Sequence, residues 1–175
     1  MEQVIMAGFG GQGILSMGRF IASAGLHDGK NVSWLPSYGP EMRGGTANCN
    51  VIVSEEPVGS PIISCATALI AMNRPSLEKF ESYVEEGGLI ITDSTLITVK
   101  PQRTDIRHFE IPATKLADEM HNSTFAGIIL LGKLIKESKI VTVENFEKAL
   151  YTLLPPKKHG LIPDEMKALK VGYDY

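Results

Sequence analysis

The stretch Met6-Ala7-Gly8-Phe9-Gly10-Gly11-Gln12-Gly13 decides the fold, because it joins a strand pattern to a helix pattern through a run rich in glycine. The apolar run at residues 3–7 ends in small residues, as buried parallel strands do. Apolar residues then recur at near-helical spacing over residues 14–26. The stretch therefore predicts a strand, a glycine turn and a helix, which together are the repeating unit of an α/β fold.

The spacing of the glycines has a physical meaning. Gly8, Gly10 and Gly13 match the pattern G-x-G-x-x-G, and Gly11 is a further glycine inside it. Glycine permits positive φ and lets a ligand or another backbone approach without a Cβ in the way. The first N–H groups of the following helix would point back across the turn, together with the positive end of the helix dipole. The turn therefore predicts contact with an anion or a partner chain, or else only tight packing of the strand against the helix.

Dinucleotide binding needs one further residue. A nicotinamide site normally has an Asp or Glu about 20 residues later, at the end of the second strand, to hold the ribose hydroxyls. The second predicted strand, residues 31–35, is followed by Pro36, Ser37 and Tyr38, which offer neither a carboxylate nor an arginine. The pattern therefore disfavours NAD and NADP. A stand-alone Rossmann-type nucleotide-binding oxidoreductase is kept as an alternative, as is an anion-binding regulatory module.

The remainder of the chain alternates strand and helix patterns. Further strands are predicted at residues 46–54, 66–72, 89–92 and 106–111. Helices are predicted at residues 77–86, between Ser76 as the cap and Gly87-Gly88 as the stop, and at 113–121, 124–138 and 143–153, with a short helix in the tail. This alternation argues for a three-layer α/β/α sandwich with a mainly parallel, Rossmann-like sheet. The length is that of a single domain over residues 1–175.

Composition excludes several classes of function. The net charge is −3 and the isoelectric point is about 5.8, so there is no basic field to favour nucleic acid. The two cysteines form no C-x-x-C and no histidine lies at metal spacing, so no metal is expected on this chain. The sequence begins directly with a strand and has no apolar run of about 18 residues. It therefore predicts a cytoplasmic chain with no membrane span.

One predicted helix is unusually apolar. Between Thr124 and Ile135 the apolar residues occupy most sides of the helix axis. Such a helix is either buried in the core or placed at an interface. The second possibility predicts that the isolated chain associates with itself, as a homodimer in the simplest case.

A second motif, Ser37-Tyr38-Gly39-Pro40-Glu41-Met42-Arg43-Gly44-Gly45, follows the second predicted strand. Open α/β sheets place their sites in loops at the carboxyl ends of strands. Arg43 is suited to bind a phosphate or a carboxylate bidentately, or it pairs with Glu41 and only orders the loop. We expect this loop and the glycine turn to lie at the ends of adjacent strands and to converge on one anion. The predicted binding residues are Gly8, Gly10, Gly11, Gln12, Gly13, Ser37, Tyr38, Gly39, Glu41, Arg43, Gly44 and Gly45, and no catalytic residue is predicted.

The two motifs, together with Gly59-Ser60-Pro61, resemble the gamma subunit of 2-oxoacid:ferredoxin oxidoreductases. The resemblance extends over almost the whole chain and is most similar to the 2-oxoglutarate and 2-oxoisovalerate types. It implies a complex that converts a 2-oxoacid, coenzyme A and oxidised ferredoxin into an acyl-CoA, carbon dioxide and reduced ferredoxin.

The resemblance also implies partners and cofactors. Alpha and beta catalytic subunits would hold thiamine diphosphate and Mg²⁺, and [4Fe-4S] clusters would lie on beta or on a ferredoxin-like delta subunit. The present chain would carry none of these cofactors and would be inactive alone. It would dock on the catalytic subunits and help to bind coenzyme A.

Overall fold

The computed structural model describes residues 1–37 and 46–175 of the chain. Its strands are β1 (Glu2–Phe9), β2 (Asn31–Ser37), β3 (Thr46–Ser54), β4 (Ala66–Ala71), β5 (Val84–Asp93) and β6 (Arg107–Ile111). Its helices are α1 (Ile14–His27), α2 (Arg74–Phe80), α3 (Ala113–Glu119), α4 (Phe125–Ser138), α5 (Val143–Leu153) and α6 (Ile162–Asp174), with 3₁₀ turns at Glu81–Tyr83 and Pro156–Leu161.

The strands form a single six-stranded sheet in the order β2-β3-β1-β4-β5-β6. The strands β1, β4, β5 and β6 are parallel neighbours, whereas β3 is antiparallel to both β1 and β2. The sheet is therefore mixed but mostly parallel, as the sequence predicts. Because β2 is antiparallel to β3, it runs in the same direction as β1, and all five strands other than β3 end at one edge. We call this edge the carboxyl edge.

Helices cover both faces of the sheet, which confirms the three-layer α/β/α arrangement. The larger core cluster lies on the face covered by α1, α3, α4, α5 and α6, and includes Met6, Val51 and Ile91 of the sheet. The smaller cluster, on the opposite face, joins Ile5 and Leu69 to α2 and to nearby loops. The faces alternate residue by residue along β1, as expected of a strand buried on both sides.

Most elements lie within a few residues of their predicted bounds, and one predicted helix is partly replaced by a strand. β3 and α5 have the predicted bounds, but the helix predicted at residues 77–86 ends at Phe80 and a new strand starts at Val84. Gly87, predicted to stop that helix, lies inside β5 with φ 76° and donates its N–H to the carbonyl of Asp105. A positive φ suits a local irregularity in a strand as well as a helix end. The pair Gly87-Gly88 alone therefore did not distinguish the end of a helix from an irregularity in a strand.

The apolar helix is buried in the core of this chain. From Phe125 to Ile135 every residue of α4 is buried, because the sheet covers one side of the helix and α6 the other. Two glycines make the second contact close: a Cβ at Gly132 would overlap the backbone of Leu169, and a Cβ at Gly172 would overlap the backbone of Ile129. The apolar surface that supported a homodimer is therefore internal, and that reason for self-association was wrong.

Candidate functional site

The glycine turn lies at the carboxyl edge, between β1 and α1. Gly11 has φ 92° and Gly13 has φ 78°, values that other residues adopt only with strain. Gly13 is the N-cap of α1, and its carbonyl accepts the N–H of Met17 at 3.0 Å. Positive φ at these two positions turns the chain sharply from the strand into the helix. The glycine-rich pattern therefore has a conformational cause in this structure.

Gln12 closes the turn with its side chain. Its Oε1 accepts the N–H of Phe9 at 2.6 Å, and its Nε2 donates to the carbonyl of Met72 at 3.3 Å. The amide thus connects the end of β1 to the residue that follows β4. Gly8 leaves room for this arrangement, since a Cβ there would lie 2.5 Å from Gln12 Oε1. These two hydrogen bonds fix Gln12 in the turn, and they link the end of β1 to the end of β4.

Replacing Gln12 by Ala is expected to lower the free energy of unfolding by about 1–2 kcal/mol, because the two backbone groups lose their partner. The measurement is urea unfolding of the purified chain, followed by circular dichroism. Ser16→Ala is the control, because Ser16 is exposed in the first turn of α1, which follows the glycine turn. Equal stability of both variants would show that water replaces the amide without loss and that Gln12 does not hold the turn.

A cleft opens directly beside the turn. It has a volume of about 270 Å³ and is lined by Gly11, Gln12, Gly13, Met72, Leu96, Thr114, Ser123, Thr124 and Ala126. We call it the turn cleft. It is lined by glycines of the turn, by Thr114, Ser123 and Thr124, and by the apolar residues Leu96 and Met72. The hydroxyls of Thr114 and Thr124 already donate to Asp93 and Asn122, so toward a ligand they are acceptors. Such a wall is suited to hydrogen-bond a polar ligand or a partner's loop, and none of the described residues that line it is a carboxylate.

The buried carboxylate of Asp93 fixes the far wall of the turn cleft. Asp93 ends β5 and is 0 % exposed. Its Oδ2 accepts the hydroxyl of Thr114 at 2.6 Å and its Oδ1 accepts the N–H of Thr95 at 3.1 Å. Thr114 lines the cleft itself, and Thr95 precedes Leu96, which also lines it. Sequence reasoning recognised Asp93 only as the end of a strand, since nothing in the pattern showed that a threonine 21 residues later would meet it.

A second cleft adjoins the first on the side of α1 and α6. It has a volume of about 350 Å³ and shares Gln12, Gly13 and Thr124 with the turn cleft. Its other walls come from Ser16, Met17, Phe20, Asn122, Gly127, Ile128, Leu154, Lys158, Leu161 and Glu165. We call it the α1–α6 cleft. The sequence did not single out any residue that lines only this cleft, because its charged members are some 150 residues away from the glycine turn.

Large apolar side chains are exposed at the carboxyl edge around the turn. Phe9, the last residue of β1, is 42 % exposed, and Leu96, just after β5, is 45 % exposed. Leu35, near the end of β2, is 39 % exposed. Single exposed apolar residues are ordinary, but three along one edge beside a cleft are typical of a surface that meets another protein.

The tyrosine–arginine loop falls partly outside the described residues. Of its predicted members, Ser37 is the last residue of β2, whereas Tyr38, Gly39, Glu41, Arg43, Gly44 and Gly45 belong to the segment that the structure leaves undescribed. Thr46, the first residue after that segment, pairs with Phe9 at the entrance to the glycine turn. Both ends of the segment therefore lie on the carboxyl edge, one of them next to the turn.

The strand order corrects one expectation. The turn and the loop were expected on adjacent strands, but the antiparallel β3 lies between β1 and β2. With neighbouring strands about 4.8 Å apart, the end of β2 is about 10 Å from the end of β1. A Rossmann dinucleotide site uses a second strand that lies directly beside the first. This order adds a structural reason against the nicotinamide alternative.

The two cysteines lie in different environments. Cys49 is buried between α1 and β3, where burial raises the pKa of its thiol to about 12, and its Sγ donates to the carbonyl of Ile14 at 3.5 Å. Cys65 is exposed in a loop. Within residues 1–37 and 46–175, no three side chains of His, Cys, Asp or Glu converge as metal ligands would. In the same ranges no helix has the length and apolar character needed to cross a bilayer.

Comparison with protein families gives one match over nearly the whole chain. Residues 3–175 match the family described as pyruvate ferredoxin/flavodoxin oxidoreductase. The 2-oxoglutarate synthase subunit KorC of Methanocaldococcus jannaschii is 32% identical over 176 residues, which cover 99% of this chain and 92% of that one.

A longer relative is also similar. The ketoisovalerate oxidoreductase subunit VorA of Methanothermobacter thermautotrophicus is 36% identical over 174 residues, which cover 99% of this chain but 36% of VorA. The present chain therefore spans about a third of that relative's length.

Solved structures show the same fold. The gamma subunit of a keto/oxoacid ferredoxin oxidoreductase from Geobacter sulfurreducens superposes with a TM-score of 0.83 at 27% identity, over 99% of this chain and 97% of that one. The 2-oxoglutarate:ferredoxin oxidoreductase of Magnetococcus marinus gives a TM-score of 0.87 over 99% of this chain and 30% of its own. At 22% identity, the second likeness concerns the fold alone.

Proposed function

This chain belongs to the pyruvate ferredoxin/flavodoxin oxidoreductase family as a gamma-type subunit, and from that premise we propose that it works as a docking subunit of a 2-oxoacid:ferredoxin oxidoreductase. The substrate of the complex is then a 2-oxoacid of the ketoisovalerate or 2-oxoglutarate kind, as the names of VorA and KorC suggest. The chain by itself does not oxidise a 2-oxoacid. It forms one domain, residues 1–175, and the thiamine diphosphate, Mg²⁺, clusters and ferredoxin-like subunit belong to its partners.

The observation that carries this proposal is the character of the carboxyl edge. Exposed Phe9, Leu35 and Leu96 are arranged along it around the glycine turn and its clefts. Protein interfaces combine such apolar anchors with a polar rim, and hydroxyl groups of Ser123 and Thr124 supply polar atoms beside them. We assign this edge to contact with the catalytic subunits, alpha and beta.

The length of VorA supports the same assignment. About a third of VorA matches this whole chain, so in that relative a domain of this kind is covalently joined to more polypeptide. A domain of this kind is joined to further polypeptide in VorA and makes up most of the length of KorC. Both arrangements are compatible with permanent assembly. The partner proposed here is therefore the kind of protein that makes up the remainder of such longer chains.

Coenzyme A is the ligand that we propose for the same edge. The N-terminus of α1 beyond Gly13 favours an anion through its free N–H groups and dipole. Arg43, on the segment that connects Ser37 to Thr46, adds a cation that binds phosphate bidentately. The proposed binding set is thus the glycine turn, residues 8–13, with Ser37, Tyr38, Gly39, Glu41 and the Arg43-Gly44-Gly45 run.

Arg43→Ala tests this role in the reconstituted complex. The fold should be unchanged, since Arg43 lies outside every strand and helix that the sequence predicts, and substitutions of surface residues usually change stability by well under about 1 kcal/mol. Loss of a charge-assisted hydrogen bond to phosphate should raise the Michaelis constant for coenzyme A by about tenfold or weaken assembly to that extent.

The matched control for this experiment is Arg107→Ala, which removes an exposed arginine at the opposite edge of the sheet. Wild-type assembly and an unchanged Michaelis constant for Arg43→Ala would mean that the arginine only orders its own loop. In that case the proposed anion site would be wrong.

A further inference from the structure

The two outer strands of the sheet differ in how well they are protected against pairing with a further strand. β2 and β6 stand at the ends of the strand order, so among the described residues each bonds to one neighbouring strand only. An outer strand can pair with a strand of another chain unless proline, lysine or a covering segment prevents it. β2 contains Pro36, which has no N–H to donate, whereas β6 contains neither proline nor lysine. The outer side of β6 is therefore the better candidate for an interface.

The hydrogen bonds between β5 and β6 show which residues face the outer side. The carbonyl of Ile111 accepts the N–H of Ser94, just after β5, at 2.8 Å. Backbone groups of successive strand residues point to alternate sides, so every second residue of β6, counted back from Ile111, bonds to β5. His108 and Glu110 therefore direct their N–H and C=O groups away from the sheet. These groups are available to a strand that arrives from outside.

The side chains of the two outward-facing residues complement each other. They lie on one face of the sheet, where the His108 ring bonds through Nε2 to the hydroxyl of Thr92 at 2.9 Å. Burial lowers the pKa of His108, while Glu110 acts to raise it and Lys100 to lower it. When Nε2 of the neutral ring accepts the hydroxyl of Thr92, Nδ1 carries the proton and can donate it to a carboxylate. Glu110 is exposed and is such a carboxylate.

A second copy of the chain fits this side of β6 in one register. Antiparallel pairing centred on Phe109 would place His108 of each copy opposite Glu110 of the other, and each such pair would exchange two backbone hydrogen bonds. A shift of two residues, the smallest that keeps outward-facing groups opposed, would place His108 opposite His108 or Glu110 opposite Glu110. Like groups directly opposite each other are unfavourable. Charge complementarity thus favours a second copy and selects the register.

The other face of β6 adds an aromatic contact at the centre of this pairing. Phe109 is half-buried against the larger core cluster, and it would meet Phe109 of the second copy where facing side chains approach most closely. Its ring is held by Lys133 of α4, whose Nζ lies 4.1 Å from the ring centroid. Glu137 pairs with Lys133 at 2.9 Å and with Arg107 at 3.5 Å. These contacts tie β6 to α4, so the strand is fixed before a partner binds.

We propose that this chain forms a two-fold dimer by antiparallel pairing of β6 with β6 of a second copy, so that the two sheets become continuous. The surface involved is separate from α4, which is buried in the core of each chain. It is also separate from the glycine turn and the exposed apolar residues assigned to contact with the catalytic subunits. The dimer therefore goes beyond the proposed function, and the two assignments can be tested apart.

Sedimentation velocity of the full chain over a concentration series measures the dimer, which is expected to form between about 10 and 100 μM, as for a small interface. His108→Glu and Glu110→His each place like groups opposite each other, so each should weaken dimerisation by about tenfold. The double variant with both substitutions opposes unlike groups again and should recover most of the loss. His27→Glu is the matched control, because it makes the same charge change at the end of α1.

Hydrogen exchange followed by NMR tests the backbone pairing without a substitution. The amides of His108 and Glu110 should exchange more slowly at high protein concentration than at low concentration. The amide of Phe109 is the internal control, since it bonds to β5 in either state. This measurement keeps the inference testable even if a substitution in β6 impairs folding.

Three outcomes would overturn the dimer: a monomer over the whole concentration series, exchange at His108 and Glu110 that does not depend on concentration, or equal losses in the single and double variants. Binding to the catalytic subunits is measured separately by surface plasmon resonance. If the wild-type chain is monomeric and the β6 variants lose the catalytic subunits, β6 pairs with a strand of those subunits and the dimer is wrong. A dimer that binds no catalytic subunit supports this inference and refutes only the proposed function.

Discussion

Phe9→Asp and Leu96→Asp, introduced one at a time, are each expected to weaken association with the catalytic subunits by about 30-fold or more, as the loss of an apolar anchor at an interface does. Both side chains are exposed at the carboxyl edge, and neither belongs to the two core clusters. A carboxylate at either position would have to lose its water on docking. The measurement is the dissociation constant of the subunit for the remainder of the complex, by surface plasmon resonance.

Leu26→Asp is the matched control for these variants. Leu26 is 63 % exposed, near the end of α1, and therefore lies at the edge of the sheet opposite the turn. We expect wild-type association for this variant and wild-type stability for all three aspartate variants. If Leu26→Asp weakens assembly as much as Phe9→Asp does, the docking surface is not at the carboxyl edge. Wild-type association of both edge variants would remove the assignment altogether.

Gly172→Ala is expected to have the largest effect on stability of any substitution considered, a loss of about 3 kcal/mol or more in the free energy of unfolding. A methyl group at this position would overlap the carbonyl of Ile129 on α4. The overlapping atom belongs to a helix backbone that is buried between the sheet and α6, so it has little freedom to move. Thermal and urea unfolding of the purified chain measure the loss.

Gly160→Ala is the control for the glycine contact, since a Cβ there has nothing within 4 Å. It should change stability by less than about 0.5 kcal/mol. Comparable losses in the two variants would mean that general effects of replacing glycine, and not the contact between α4 and α6, decide the outcome.

Hydrophobic pattern was sufficient to predict most of the fold. The alternation of Ala47, Cys49 and Val51 with asparagines marked β3 correctly, and the helix predicted at residues 143–153 has the bounds of α5. Strand direction is different, because a strand pattern is the same whichever way the strand runs. For one pair the direction was indicated: the link from β2 to β3 is shorter than the dozen or so residues that a parallel crossover needs, so these two strands are antiparallel.

The geometry of the candidate site could be predicted only where it depends on neighbouring residues in the sequence. The glycine turn could be found because its geometry depends on residues within one short stretch, 8–13. The contact of Gln12 with Met72, the hydrogen bond from Thr114 to the carboxylate of Asp93 and the presence of Lys158 and Glu165 in one cleft all depend on tertiary structure. The same limit applied to α4, where an apolar surface on most sides was compatible with both a core and an interface. The helix is in the core because α6 packs against it, and the sequence of α6 did not indicate this contact.

The most direct test of the central claim is purification of the tagged chain from its native cells, followed by an assay with a panel of 2-oxoacids. We expect larger partner chains to copurify and the complex to reduce ferredoxin only when a 2-oxoacid and coenzyme A are both present, whereas the isolated chain should not reduce it. A chain that elutes without partners and reduces ferredoxin or NAD by itself would refute its assignment as a docking subunit.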